Sequence, residues 1–388
     1  MRHMPFSPRP QGPKTQGCQS PNEATWRILE CNAETLFADH SNACAKVPSI
    51  WSTDQIGRLL YSMACIAPMP PRPPTTSPTA HCRPGQIDPR YALPRNDSII
   101  WGREHDQFVH QLITLWQPLR ADCTRGKFVV VDVGVNTGAI TLNAAAHGAR
   151  VYGFEALESN AAVVARRVAQ NGFLRLVHLT VAAAAATDEG TVTFNDNFYV
   201  HANGDWQRNG QAVRDGQQPP AGEVARSVPL RRVDRVVPSD TEVLLFKVDV
   251  EGMEYEAVGG AKALFSPRPR VAVVHTELSP ANMRAGSARD YLQRFFTWGY
   301  RAFLEDCSHN IEDQVREAIW QQLGLVCANQ DGGVQRLLGA CKAHDSGQQP
   351  DDSAARYEVK PDLAAPLVRL LGRSMISGLV LCRSSARA

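Results

Sequence analysis

From residue 127 to residue 306 the chain repeats one pattern of apolar and polar positions. A short apolar run gives way to a turn containing glycine, and then apolar residues recur three and four apart. The first spacing is that of a buried strand and the second that of a helix packed on one face. The pattern predicts strands at 127–135, 149–156, 174–182, 242–252, 270–278 and 300–306, with a short apolar strand at 376–384. Helices are predicted between them at 137–147, 159–171, 254–265 and around 291–298, and another at 103–120 carries Phe108, Leu112, Leu115 and Leu119 on one face. Gly148 and Gly172 stand where helices should stop, as residues free to take a left-handed conformation. Alternating strands and helices imply right-handed crossovers: an α/β chain with a largely parallel sheet and helices on both faces.

The pattern breaks in four places. Residues 1–94 read as an N-terminal extension with two short candidate helices, at 26–36 and 56–63. It ends in a proline-rich linker, "PMPPRPPTTSPT" at 68–79, since proline supplies no backbone donor and fixes φ. "GTVTFN" at 190–195 reads as an extra β segment. Residues 196–226 are polar and glycine-rich, and read as a long loop that lies over a substrate as a lid or is simply solvated; Tyr199, His201 and Trp206 would suit a lid. Residues 307–371 form a second polar insertion. The domain expected is 95–388.

Composition adds limits. The chain has 388 residues, 43% of them hydrophobic, and a formal net charge of +2, so no global field points to nucleic acid or a membrane surface. No run reaches the roughly 20 apolar residues of a membrane helix. Ten cysteines occur without any C-x-x-C pair. Irregular spacing in a long chain reads as reduced thiols in a cytosol-like compartment, although five cysteines within the first 82 residues leave a secretory reading open. The default is a cytoplasmic protein. The basic, acid-free start "MRHMPFSPRPQGPKTQG" leaves organelle targeting as the alternative.

The chemistry gathers at strand ends. In "VVVDVGVNTGAITL", Asp132 ends a strand and Gly134, Asn136 and Gly138 form the turn into a helix. Ligands of such sheets bind beyond the carboxyl ends of the strands. A diphosphate site would call for G-x-G-x-x-G, and an acid beside it would repel the phosphates. Asp132 suits an ammonium group instead. Glu155 ends the next strand, where a carboxylate accepts hydrogen bonds from ribose hydroxyls. One acid for an ammonium, one for a ribose and no phosphate cradle describe S-adenosylmethionine (SAM). The bland alternative is an ordinary strand-turn-helix with capping residues. In "LLFKVDVEGMEYEAVGGA", Lys247, Asp249 and Glu251 alternate and would share one face of a strand. A Lys–Asp structural pair is the alternative there.

These segments, with "VYGFEALESNAAVVARRVAQNG", "VAAAAATDEGTVTF" and "VPLRRVDRVV", resemble the FkbM-type methyltransferases over about 127–303. The resemblance implies a Rossmann-like class I sheet, mostly parallel with its last strand antiparallel. It implies SAM as cofactor, held by Asp132, Gly134, Asn136, Gly138, Glu155 and Asn160. It also implies methylation of a hydroxyl oxygen on a sugar, glycan, lipid or small natural product. Two positions depart from the family pattern: Ala156 stands where proline is usual, and Val135 where alanine is usual.

A hydroxyl nucleophile benefits from a base. Asp249 and His275 are candidates for it, with Glu277 beside His275 on the "VVHTEL" strand, and Lys247 and Glu251 complete the catalytic candidates. His275 can equally be a satisfied core histidine. A divalent cation on Asp249 and Glu277 would lower the hydroxyl pKa, but two carboxylates do not make a metal site, and no metal residues are assigned. Two other classes remain open: a nicotinamide-dependent dehydrogenase and a non-catalytic SAM-fold binding module. No nucleic-acid partner is expected, and the acceptor and the oligomeric state are not readable.

Overall fold

Runs of valine and leucine buried on both sides build the centre of the molecule. The computed structural model describes residues 103–116, 128–200, 206–212, 224–283, 287–307, 311–348 and 352–384. The extension expected at 1–94, with its linker and candidate helices, lies outside the described residues.

Helix α1 (Arg103–Trp116) comes first and stops short of Pro118, which disfavours a helical conformation before it. Then follow β1 (Val129–Val133), α2 (Ala139–Ala146), β2 (Arg150–Glu155), α3 (Glu158–Gln170) and β3 (Val177–Val181). Four further strands come next: β4 (Ala183–Ala184), β5 (Thr191–Val200), β6 (Trp206–Ala212) and β7 (Val224–Arg231). The chain continues through β8 (Val243–Val248), α4 (Glu254–Gly259), α5 (Lys262–Phe265), β9 (Val271–Leu278), α6 (Ala288–Thr297) and β10 (Tyr300–Asp306). It closes with α7 (Asp313–Leu323), α8 (Val334–Ser346), β11 (Glu358–Val359), α9 (Ala364–Leu371) and β12 (Ile376–Arg383).

Eight strands form the main sheet in the order β11-β10-β12-β9-β8-β1-β2-β3. The β1–β2, β2–β3, β1–β8 and β8–β9 pairs are parallel. Strand β12 runs antiparallel between β9 and β10, so the expected mostly parallel sheet with an antiparallel last strand is what forms. The order reverses at β1, which is flanked by β2 and β8, and that is where ligands enter open sheets.

Alternation along β1 divides the core. Val129, Val131 and Val133 pack with the face covered by α4, α5, α6, α7 and α9. Val130 packs with α1, α2, α3 and α8 on the other face. Phe246, Leu245, Phe265, Phe295 and Tyr291 are fully buried, each contributing about 1.5–3 kcal/mol of apolar transfer. Phe265 stacks on Trp298 with ring centroids 5.0 Å apart, fixing α5 against the end of α6.

Four expectations change. Residues 196–226 are not one long loop: β5, β6 and β7 join β4 in a second sheet of order β4-β7-β5-β6. Their polar, glycine-rich composition hid a hairpin, because strands at the margin of a fold need not be apolar on both faces. His201 lies outside the described residues, and near the hairpin end Tyr199 is in register with Gln207 and Trp206 with Val200. The predicted helix at 254–265 is two pieces broken at Gly260, where an added Cβ would meet the Ala185 carbonyl oxygen at 1.8 Å. Residues 307–371 contain α7, α8 and α9, whose exposed faces account for their polarity.

The cysteines are the fourth. Cys307 is bonded to Cys327, and Cys341 to Cys382, with Cα atoms 5.9 and 5.1 Å apart. The expectation of reduced thiols therefore fails for all four described cysteines. Their partners lie 20 and 41 residues apart and meet only because α8 and the segment after α7 fold back on the sheet. Spacing alone gives no sign of this. Among the described residues no helix is long and apolar enough to cross a membrane.

Candidate active site

Three turns meet at the carboxyl ends of β1, β2 and β8, and each is shaped by a requirement of its sequence. After β1, Gly134 takes φ +87° and lies so close to β8 that a Cβ there would stand 1.8 Å from the Asp249 carbonyl oxygen. Asn136 follows with φ +54°, a conformation asparagine tolerates better than most side chains. Gly138, at φ +95°, forms the N-cap of α2. The expected turn glycines are thus explained by backbone geometry at both positions.

Glu155 ends β2 and is buried. Its Oε2 accepts the Asn136 backbone N–H at 2.7 Å and its Oε1 accepts that of Leu157 at 2.9 Å. Burial pushes its carboxyl up to about 7 from 4.5, against the opposing effect of those two donors. Each carboxylate oxygen keeps lone pairs beyond its one backbone bond.

Asp132 is also fully buried, beneath α2. Thr141 Oγ1 donates to its Oδ2 at 2.6 Å, and Lys247 Nζ lies 3.6 Å from Oδ1. Asp132 and Lys247 are direct neighbours on parallel strands, as are Lys247 and His275. Lys247 Nζ donates to the Gly134 carbonyl at 2.5 Å and lies 3.5 Å from Asp249 Oδ2. Its ammonium therefore links the β1 turn to the β8 turn. Burial alone would lower its pKa, but Asp249 and Asp132 beside it hold it above its ordinary value.

Strand β8 ends at Val248, so Asp249 and Glu251 do not alternate on a strand as expected. They occupy a turn in which Glu251 has φ +53° and Gly252 φ +108°. Both acids still reach the same place. An open cleft is lined by Gly134, Asn136, Glu155, Asn160, Asp249 and Glu251 among others, with Phe154, Leu157, Ala182–184, Phe194 and Met253 as its apolar walls. Burial pushes Glu251 up to about 7, with Asp249 and Glu254 adding repulsion.

The other expected residues stand outside the cleft lining. Asp132, Gly138 and Lys247 do not line it. His275 is buried on β9, its ring 4.8 Å from that of Phe108 and its Nε2 3.5 Å from Glu305 Oε2. That is the environment of a core histidine. Glu277 is pushed well above the ordinary carboxylate range by burial and by Asp249, Glu251 and Glu254. Among the described residues no group of three or more histidine, cysteine or acidic side chains could hold a metal ion. The sequence reading passed over Glu254, whose carboxylate accepts two backbone N–H groups of the acidic turn. Its signal was the second acid in "EGMEYE", three residues after Glu251.

Residues 132–302 match the family model described as Methyltransferase FkbM domain. That stretch of the chain is similar to FkbM methyltransferases. The match begins at Asp132 and ends within β10, so it takes in the whole cleft and leaves out α7, α8, α9 and β12. It agrees with the resemblance over about 127–303, and it supports SAM-dependent methyl transfer rather than the nicotinamide alternative. No curated protein sequence matches the chain. Solved structures similar to this chain in fold include precorrin-6y C5,15-methyltransferase from Geobacter metallireducens GS-15. That pair is 12% identical, covering 58% of this chain and 87% of the other at a TM-score of 0.30. YcgJ from Bacillus subtilis is 9% identical, covering 73% and 100%, with a TM-score of 0.32. A geranyl diphosphate methyltransferase in complex with SAM is 11% identical, covering 78% and 96%, with a TM-score of 0.31.

Proposed function

We propose that the chain binds SAM in this cleft and methylates a hydroxyl oxygen of a sugar, glycan, lipid or small natural product. The observation that carries the reading is that Asp249 and Glu251 line the same cleft as Glu155. One wall then binds the cofactor and the other receives the acceptor.

The residues fit SAM. Glu155, fixed by two backbone donors, would accept the ribose hydroxyls. Asn136 Oδ1 is buried without a hydrogen-bond partner among the described residues and lines the cleft, so it offers an acceptor to the ammonium end. Asn160 lines the same wall, and Gly134 and Gly138 shape the turn. Asp132, engaged by Thr141 and Lys247, acts through them rather than on the ligand. Bound SAM supplies an electrophilic sulfonium methyl. The chain's own part is to hold the acceptor oxygen in line, to exclude water with Phe154, Leu157, Phe194 and Met253, and to take the hydroxyl proton. Glu251 is the base: its carboxyl lines the cleft and titrates near 7, close to a working pH. Asp249, paired with Lys247, orients the acceptor hydroxyl. His275 and Glu277 have no part in the transfer. The paired cysteines favour an oxidising compartment over the cytosol.

The test is transfer of labelled methyl from SAM to fractionated glycans, lipids and small molecules, with the linkage of the product determined. An O-methyl ether supports the reading. Labelled N- or C-methyl product, or SAM binding without any transfer, overturns it.

A further inference from the structure

Glu254 opens α4 and is buried, with 3% of its surface exposed, yet it does not line the cleft. An acid at the start of a helix ordinarily serves the free N–H groups of its own first turn. Glu254 accepts its own backbone N–H and also reaches back into the turn before the helix. Its Oε1 accepts the backbone N–H of Val250 and that of Gly252, both at 3.1 Å. Those donors flank Glu251, which holds a left-handed conformation unusual for a residue with a side chain. On its other side the turn is pinned at Asp249, whose N–H donates to the Val133 carbonyl at 3.0 Å and whose carbonyl presses on Gly134. The tie to Val133 and the packing on Gly134 fix where the turn begins. The Glu254 tie fixes how it bends, and so where Glu251 enters the cleft.

We propose that Glu254 is the positioning residue of the acidic turn: through one carboxylate oxygen it sets the conformation that presents Asp249 and Glu251 to the acceptor. The proposal rests on the reading of those two acids as the acceptor side of the site. The charged and titratable groups around it are Asp249 and Glu251 of the turn, Glu277 of β9 and Tyr291 of α6. What the turn needs from Glu254 is an acceptor oxygen at the right reach, and an amide supplies that as well as a carboxylate does.

Full-length Glu254→Ala and Glu254→Gln therefore separate the roles. Three quantities are measured: hydrogen exchange in the peptide spanning residues 249–253, SAM affinity by calorimetry, and methyl transfer to the active fraction. For Glu254→Ala the expected result is exchange at least tenfold faster and turnover at least tenfold lower, with SAM affinity within about threefold of wild type. Glu254→Gln restores exchange and turnover to within about threefold. If Glu254→Ala does not fold, Glu254→Asp replaces it, keeping the charge but shortening the reach, with the same losses expected. Wild-type exchange and turnover in the alanine or aspartate variant overturns the proposal. So does a glutamine variant as impaired as alanine, which would assign the role to charge. If the wild type transfers methyl to nothing, the exchange measurement still decides the positioning role, while the O-methyl reading alone fails.

Discussion

Gly134 and Asp249 touch backbone to backbone: a Cβ on Gly134 would lie 1.8 Å from the Asp249 carbonyl oxygen. The two turns that carry the cofactor side and the acceptor side of the cleft are thus packed against each other at a point where no side chain fits. Gly134→Ala should destabilise the fold by about 1–3 kcal/mol from the left-handed φ alone, with the clash added, and should weaken SAM binding. Gly148→Ala is the control. It has a similar φ of +82° but nothing within 4 Å of its added Cβ, so it should show the conformational cost only. Denaturant melts of the two variants compare these costs, and equal losses would show that the contact is not rigid.

Glu155 holds its proton up to about 7 in the folded protein, against an ordinary 4.5. If the ribose hydroxyls of SAM donate to its ionised form, SAM affinity should climb as pH rises from 6 through 7 and level off near 8. Binding at pH 6 should release a proton, measurable by calorimetry in buffers of different ionisation heat. Glu155→Gln should flatten the slope and weaken binding by about tenfold to hundredfold at pH 8. Stability has the opposite sign. Glu155 and Glu251 bind protons more tightly folded than unfolded, so their contribution falls as pH rises from about 4.5 to about 7. Thermal melts should show that fall, and it should be smaller in Glu251→Gln.

If Glu251 takes the acceptor's proton, turnover should rise with pH through about 7 in the wild type. Glu251→Gln should lower it by about 10²–10⁴-fold and remove the inflection, with SAM affinity little changed. Asp249→Asn keeps the shape of the side chain but breaks its ion pair with Lys247, so it should lower turnover less and leave the inflection in place. An inflection that persists in Glu251→Gln and disappears in Asp249→Asn would move the base to Asp249.

The Cys341–Cys382 bond ties α8 to β12 at the middle of the sheet, and both sulfurs are buried. A loop of 41 residues closed in this way stabilises the fold by about 3–4 kcal/mol in the chain-entropy account. Cys341→Ala with Cys382→Ala should lose about that much. Peptide mapping without reductant, on protein from an oxidising host, should recover the linked pair. Free thiols at both positions would show that the cysteines only pack together.

The parallel centre of the sheet could be read from sequence because β1, β2, β8 and β9 are buried on both faces and are mostly apolar, with polar residues gathered toward their carboxyl ends. Their helices announced themselves through Gly148 and Gly172. The hairpin of β5 and β6 could not be read, since "NDNFYVHANGDWQRNGQA" has the composition of a solvated loop. Glu155, Asn136, Asp249 and Glu251 were legible as chemistry, and they do share a cleft. The manner was misread for Asp249 and Glu251. Alternation shows which residues would share a face but not where pairing stops, and β8 stops at Val248. Glu254 was marked only as a second acid three residues after Glu251, and that spacing alone does not tell a backbone clamp from a solvated side chain.

Strand β12 is the last of the sheet's strands in the chain, yet it lies between β9 and β10. A ribosome would finish β1, β2, β3, β8 and β9, and so every residue of the cleft, long before β12 leaves the exit tunnel. Until then β9 and β10 each wait with a row of unpaired backbone groups, the kind of edge that recruits other chains. The sheet that carries the cleft is therefore completed by a segment that contributes no residue to the cleft. A premature stop upstream of residue 376 would leave the cofactor motifs intact and the sheet open through its middle.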